Sequence, residues 1–269
     1  MLTHRTYRHI DMHHGRCLLC EQITDLCQSH ALPDALFRPL LRGNGGSAIH
    51  VTDDATTPVQ LDSDSWKTPQ LCGVCESLMN DEWDSYGIAF FQGRRGKPRL
   101  TDAGVTFANV DAGRIRMFAL AVLWRMSVSV HPSYLNAHLP AETRDALRRT
   151  LLAKGGFRSS ALQVTLERLH DTTPGGFSRS QFKDMVMAPF IRRHESYYAI
   201  GFAMFGFLVQ VYVPSIPPRQ RRSLHLVSTT GSIVFAPLLE FTAFPELFNL
   251  GVTALHKSIT GLSKLKSTE

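Results

Sequence analysis

The stretch GRCLLCEQITDLCQSHALP (residues 15–33), with its distant counterpart QLCGVCE (residues 70–76), decides how this chain is read. Each contains a Cys-x-x-Cys pair: Cys17 with Cys20, and Cys72 with Cys75. A Cys-x-x-Cys knuckle offers two thiolates from one tight turn, and two knuckles complete a tetrahedron around zinc. The pairs are 51 residues apart, longer than in common zinc fingers, so the intervening chain must fold back to unite them. All five cysteines lie before residue 76, and the remaining 194 residues have none. A disulfide framework would spread through a small secreted chain, so reduced thiols in a cytoplasmic protein are expected. Cys27, the odd one, is expected to be a small buried apolar side chain.

Composition sets the frame. The chain has 269 residues, with 43% hydrophobic and 19% charged, a folded protein large enough for one large or two smaller cores. The net charge of +6 fits a nucleic-acid or anionic-surface partner without requiring one. Residues 1–16 are polar, hold four histidines and have no signal-peptide core. One 17-residue apolar run, YYAIGFAMFGFLVQVYV (residues 197–213), reaches the lower limit for a membrane span. Its glycines, aromatics and β-branched residues favour two buried strands turning near Gly206, with no membrane partner.

The expected organisation is a polar arm (1–16), a zinc module (17–92) and an α+β region of unknown role (93–269). Within the module, a helix is expected over Asp34–Arg42, short strands near Ala48–Val51 and Val59–Leu61, and a helix from Cys75 to about Phe91. Gly93–Gly113 reads as loop. Arg114–Val130 is apolar for four turns and reads as a central helix capped by Asp111 and closed by Pro132. A second helix is expected over Ala141–Lys154. Strands are expected over Ala161–Leu169, Met185–Ile191, Tyr197–Met204, Phe207–Val213 and Leu224–Ser228, forming an antiparallel sheet on the helices. A tail helix over Phe248–Leu265 would bury Leu250, Leu255, Ile259 and Leu262.

The succession CLLC, then LCQSHALP, then LCGVCE resembles the treble-clef zinc modules of HNH endonuclease-like proteins, over residues 17–85. His30-Ala31-Leu32-Pro33 matches that family's H-x-x-P, and the second pair opens a helix as the family's second knuckle does. The resemblance implies a structural Zn²⁺ on Cys17, Cys20, Cys72 and Cys75. It further implies His30 as general base for phosphodiester hydrolysis, with Glu76 beside a catalytic Mg²⁺ or Mn²⁺. Ser29 stands where the family has an acidic residue or histidine, and Glu76 where it has histidine or asparagine. Such modules are typical of bacterial and phage-defence proteins. Three functions stay open: a metal-dependent nuclease on DNA or RNA, a non-catalytic zinc-stabilised nucleic-acid-binding protein, or a structural and interaction protein. Candidate phosphate contacts are Arg94 and Arg95 in one patch, and Arg219, Arg221 and Arg222 in another.

Overall fold

The computed structural model describes residues 13–43, 45–54, 56–157, 162–221 and 223–263. The described residues open with an antiparallel hairpin, β1 (His13–Arg16) and β2 (Ile23–His30), whose turn carries the first cysteine pair. The polar arm thus gives way to a strand at His13, and the rest of it, residues 1–12, lies outside the described residues. Helix α1 (Asp34–Gly43) follows Pro33, with Asp34 in its first turn complementing the helix dipole and ion-paired to Arg38 one turn on. A short hairpin, β3 (Ala48–His50) and β4 (Gln60–Asp62), precedes β5 (Lys67–Cys72). Strand β5 pairs with the other edge of β2, Leu26 opposite Cys72, so the second cysteine pair arrives beside the first.

From Gly73 the chain runs as one continuous helical rod: α2 (Gly73–Met79), a π turn (Asn80–Asp84) and α3 (Ser85–Phe91). Sequence periodicity anticipates the rod but not the wider turn. A π turn advances the helix by an extra residue and rotates the residues beyond it about the helix axis. Here it buries Trp83 and Asp84.

The stretch expected to be loop after Gly93 instead forms the hairpin β6 (Lys97–Thr101) and β7 (Gly104–Ala108). All five β6 residues are exposed, which hides the strand from any hydrophobic pattern. Helix α4 (Ala112–Val128) is the central helix foreseen: Asp111 caps it by accepting from the Arg114 N–H at 3.0 Å, and thirteen of its seventeen residues are buried. Then come α5 (Ala141–Leu152), β8 (Gln163–His170), α6 (Arg179–Lys183), β9 (Met187–Arg193), β10 (Tyr198–Met204), β11 (Phe207–Val213), α7 (Pro218–Arg221), β12 (Ile233–Glu240) and α8 (Pro245–Ile259).

Seven strands make one sheet in the order β6-β7-β12-β8-β11-β10-β9. The apolar run at 197–213 is the β10–β11 hairpin, in register from Tyr198–Val213 to Met204–Phe207 and turning through Phe205 and Gly206, both at positive φ. Among the described residues no helix is long and apolar enough to cross a membrane. The architecture is α+β, with two corrections to the expected sheet. It is mixed, because β12 runs parallel to β8 over Leu238–Glu240. The expected strand at Leu224–Ser228 contributes only a single bridge, Leu226 to Thr165.

One contiguous core joins everything from Cys17, Leu19 and Cys75 through α4 to Val209 and Val234. Residues 17–92 are therefore built onto the same buried mass as the sheet. Helix α8 corrects the tail. Leu250 packs against the small core of Phe244, Phe182 and Leu208, but Leu255 and Ile259 are 62% and 76% exposed. The buried position near the helix end is Lys257, whose ammonium donates to the Thr52 and Asp54 carbonyls at 2.8 and 2.7 Å.

Candidate metal centre

Pairing of β2 with β5 creates the centre. The turn between β1 and β2 projects Cys17 and Cys20. The corner from β5 into α2 projects Cys72 and Cys75, with Cys72 at the N-cap position in extended conformation. The four sulfurs lie within 4.8 Å of one another, and the Sγ atoms of Cys20 and Cys72 are 3.9 Å apart. Zinc–thiolate bonds of about 2.3 Å in a tetrahedron require sulfur–sulfur separations of about 3.8 Å. The donor set and spacing therefore fit zinc, and no pair of these cysteines forms a disulfide. Cys17, Cys72 and Cys75 are buried and Cys20 is half-buried, so the centre is closed in the manner of a structural site.

The backbone favours the thiolate at Cys17. Burial raises the Cys17 thiol, but backbone N–H groups of Cys20, Cys72 and Leu19 point at its sulfur and bring it down to about 7. The Cys72 N–H donates to it at 3.3 Å. Burial raises the thiols of Cys20 and Cys75, the charge a cation at the centre would compensate. Cys27 lies on β2 outside the group, its thiol raised by burial and by the Glu76 carboxylate.

The candidate hydrolytic residues do not converge. Ser29 and His30 are consecutive on β2, so their side chains leave opposite faces. Ser29 turns toward β5 and α2: its hydroxyl accepts from the Leu71 N–H of β5 at 3.1 Å and sits against Glu76 of α2. His30 turns away: its Nε2 is 3.0 Å from the Ser65 hydroxyl and 3.7 Å from Asp34, and its ring lies 6.2 Å from that of Phe37. Burial holds its pKa below the ordinary value, so near neutrality the ring is an uncharged packing and hydrogen-bonding group. Ser65 and Asp34 both approach the same ring nitrogen, so they do not form a nucleophile–histidine–carboxylate relay. Burial raises the Glu76 carboxyl against the pull of Ser29 and Arg125, and its Oε1 is buried without a hydrogen-bond partner among the described residues. Among those residues the four cysteines are the one group of three or more His, Cys, Asp or Glu placed to share a metal ion.

The two arginine patches differ. Arg221 is turned inward, donating to the Ile216 carbonyl at 2.6 Å and to Ser215, and so holds its own Pro-rich turn. Arg219 is exposed on α7, and Arg222 lies outside the described residues. Arg94, Arg95, Lys97 and Arg99 instead follow one another from the end of α3 along β6, and among the described residues none makes an ion pair. Arg95 and Arg114 cover the Tyr86 ring at 4.9 and 4.6 Å.

No protein-family model matches this chain, and neither the curated proteins nor the solved structures give a match.

Sequence reasoning placed Arg125 in the interior with a partner but did not identify that partner, and it missed the burial of Arg116. Arg125 makes a bidentate pair with Asp84, both bonds 2.7 Å, joining α4 to the π turn. An arginine inside an apolar helix signals a partner, but only the π turn brings Asp84 to it. Arg116 is buried beside a cleft with no carboxylate partner among the described residues; an arginine one turn from a helix start carries no signal of that kind.

Proposed function

We propose that residues 17–92 are a treble-clef module whose cysteines hold one structural zinc ion, and that the chain is a non-catalytic nucleic-acid-binding protein. When bound, zinc ties the β1–β2 turn to the β5–α2 corner and so fixes the start of the helical rod. The rod's far end presents the basic edge formed by Arg94, Arg95, Lys97 and Arg99. The observation that carries this reading is that edge: four closely spaced exposed cations without carboxylate partners among the described residues, on a chain of net charge +6. Cations that neutralise phosphates release counterions and bind without sequence preference. A charged edge strand also resists pairing with other strands, which accounts for β6 by itself but not for the run continuing through Arg94 and Arg95.

The hydrolytic alternative requires His30 and a metal-holding Glu76 to share a water molecule. His30 leaves the face of β2 opposite to the one from which Ser29 reaches Glu76 on α2, which favours binding over cleavage. Gel shifts with single- and double-stranded DNA and with RNA test the reading. Wild type should bind with affinity falling steeply with salt, and replacing Arg94, Arg95, Lys97 and Arg99 by Gln should reduce both affinity and salt slope. Plasmid should stay intact in Mg²⁺ or Mn²⁺. Cleavage lost in His30→Ala would restore the nuclease reading; no binding at low salt would leave a structural or interaction role.

A further inference from the structure

A cleft of about 700 Å³ opens where the π turn, the start of α4, the connection after α5 and the segment before β12 meet. Three cations line it, Arg114, Arg116 and Lys154, against two carboxylates, Glu82 and Asp111. Both carboxylates are already engaged. Asp111 caps α4, and Glu82 lies 3.0 Å from the Lys154 ammonium and accepts from Arg114 through its backbone carbonyl at 2.8 Å. The three cations exceed the two carboxylates by one positive charge.

Arg116 is the informative group. It is 4% exposed, and its guanidinium donates to the Phe157 and Leu162 carbonyls at 2.6 and 2.7 Å. Those acceptors are neutral, and among the described residues no carboxylate pairs with it. Arg125, two turns along the same helix, has Asp84 in bidentate contact. A buried charge is costly unless compensated, so Arg116 lacks what Arg125 has. Burial accordingly depresses the Arg116 pKa, whereas in Arg125 Asp84 outweighs burial and raises it.

We infer that this cleft binds a small phosphate-bearing ligand of nucleotide size, its phosphate seated among Arg114, Arg116 and Lys154. A guanidinium fork suits a phosphate's several oxygens, and the first turn of the seventeen-residue α4 adds its partial positive charge. Thr229 and Thr230 also line the cleft, and Met117 and Phe157 give an apolar surface for the rest of the ligand. The volume is that of a small-molecule site, and the inference stands apart from the nucleic-acid reading.

The test is calorimetry on the full metal-loaded chain with inorganic phosphate, pyrophosphate and ADP, alongside an oligonucleotide. Saturable binding of at least one of the three phosphates is expected. Arg114→Gln combined with Lys154→Gln, both at the cleft rim, should weaken it by about tenfold to a hundredfold. Arg116→Leu should weaken it similarly, and Arg99→Gln, on the exposed β6 edge, should not. Circular dichroism of each variant separates lost binding from lost fold. Absence of saturable binding up to about 10 mM, or equal binding by the double variant, overturns the inference. Binding by the oligonucleotide alone, uncompeted by any phosphate, also overturns it and leaves the nucleic-acid reading intact. Binding by ADP alone supports the cleft and removes that reading.

Discussion

Replacing Asp84 by Ala should destabilise the chain by about 3–5 kcal/mol, the cost of leaving a buried guanidinium without its carboxylate. Arg125 is 2% exposed, and both of its hydrogen bonds to Asp84 are 2.7 Å. Two charge-assisted bonds of about 1.5–3 kcal/mol each give a sum in the same range. The Arg125 Nε is already buried without a hydrogen-bond partner among the described residues, so the guanidinium has no surplus of contacts to fall back on. The cost is therefore set by the stranded charge, not by the lost carboxyl volume. Removing the charge as well, in Asp84→Ala with Arg125→Met, should recover about 2 kcal/mol or more of the single variant's loss. Urea denaturation of metal-loaded protein, with wild type, both single variants and the double variant, measures the coupling. A loss under about 1 kcal/mol for Asp84→Ala, or a double variant as unstable as the sum of the singles, would refute the claim that the π turn serves to deliver Asp84 to α4.

Gly87→Ala should cost about 1–3 kcal/mol or more, because an added Cβ would lie 2.1 Å from the ring of fully buried Phe118; thermal melting checks it, and Phe118→Leu in the same chain should relieve part of the loss. His30 should titrate below its ordinary 6.5 in an NMR pH series. Its folded pKa is depressed by burial, so its contribution to stability is full above pH 6.5 and is lost as pH falls toward the folded pKa; His30→Asn should flatten that part of the stability profile, and an unchanged profile would contradict the buried neutral ring. Lys257→Met should strand the Thr52 and Asp54 carbonyls at a cost of about 1–3 kcal/mol and speed amide exchange in α8; unchanged exchange there would mean the helix is held by other contacts.

The parts of the fold legible in the sequence are those with one dominant local signal. The cysteine pairs announced their meeting, the apolar run at 114–130 announced a buried helix, and Gly206 between β-branched runs announced the β10–β11 hairpin. Hidden parts depend on partners distant in sequence. Strand β6 carries Lys97, Pro98 and Arg99 on an edge with no buried face, so it lacks alternation. The parallel seam between β12 and β8 is a tertiary choice that no local pattern encodes. In α8 the apolar spacing pointed to Leu255 and Ile259, but docking against residues 52–54 rotated Lys257 inward, since its long stem and two carbonyl acceptors satisfy a buried ammonium. The motif at 30–33 was likewise legible as a string, while strand alternation, which separates His30 from Glu76, needed the pairing of β2 with β5 to give each face its surroundings.

Metal content per chain, measured on freshly purified protein together with a thiol count under native conditions, bears most directly on the centre that organises the module. One zinc per chain is expected, with Cys17, Cys20, Cys72 and Cys75 protected from alkylation until a chelator is added. Metal-free protein whose four thiols react freely while the fold persists would contradict a zinc-held module.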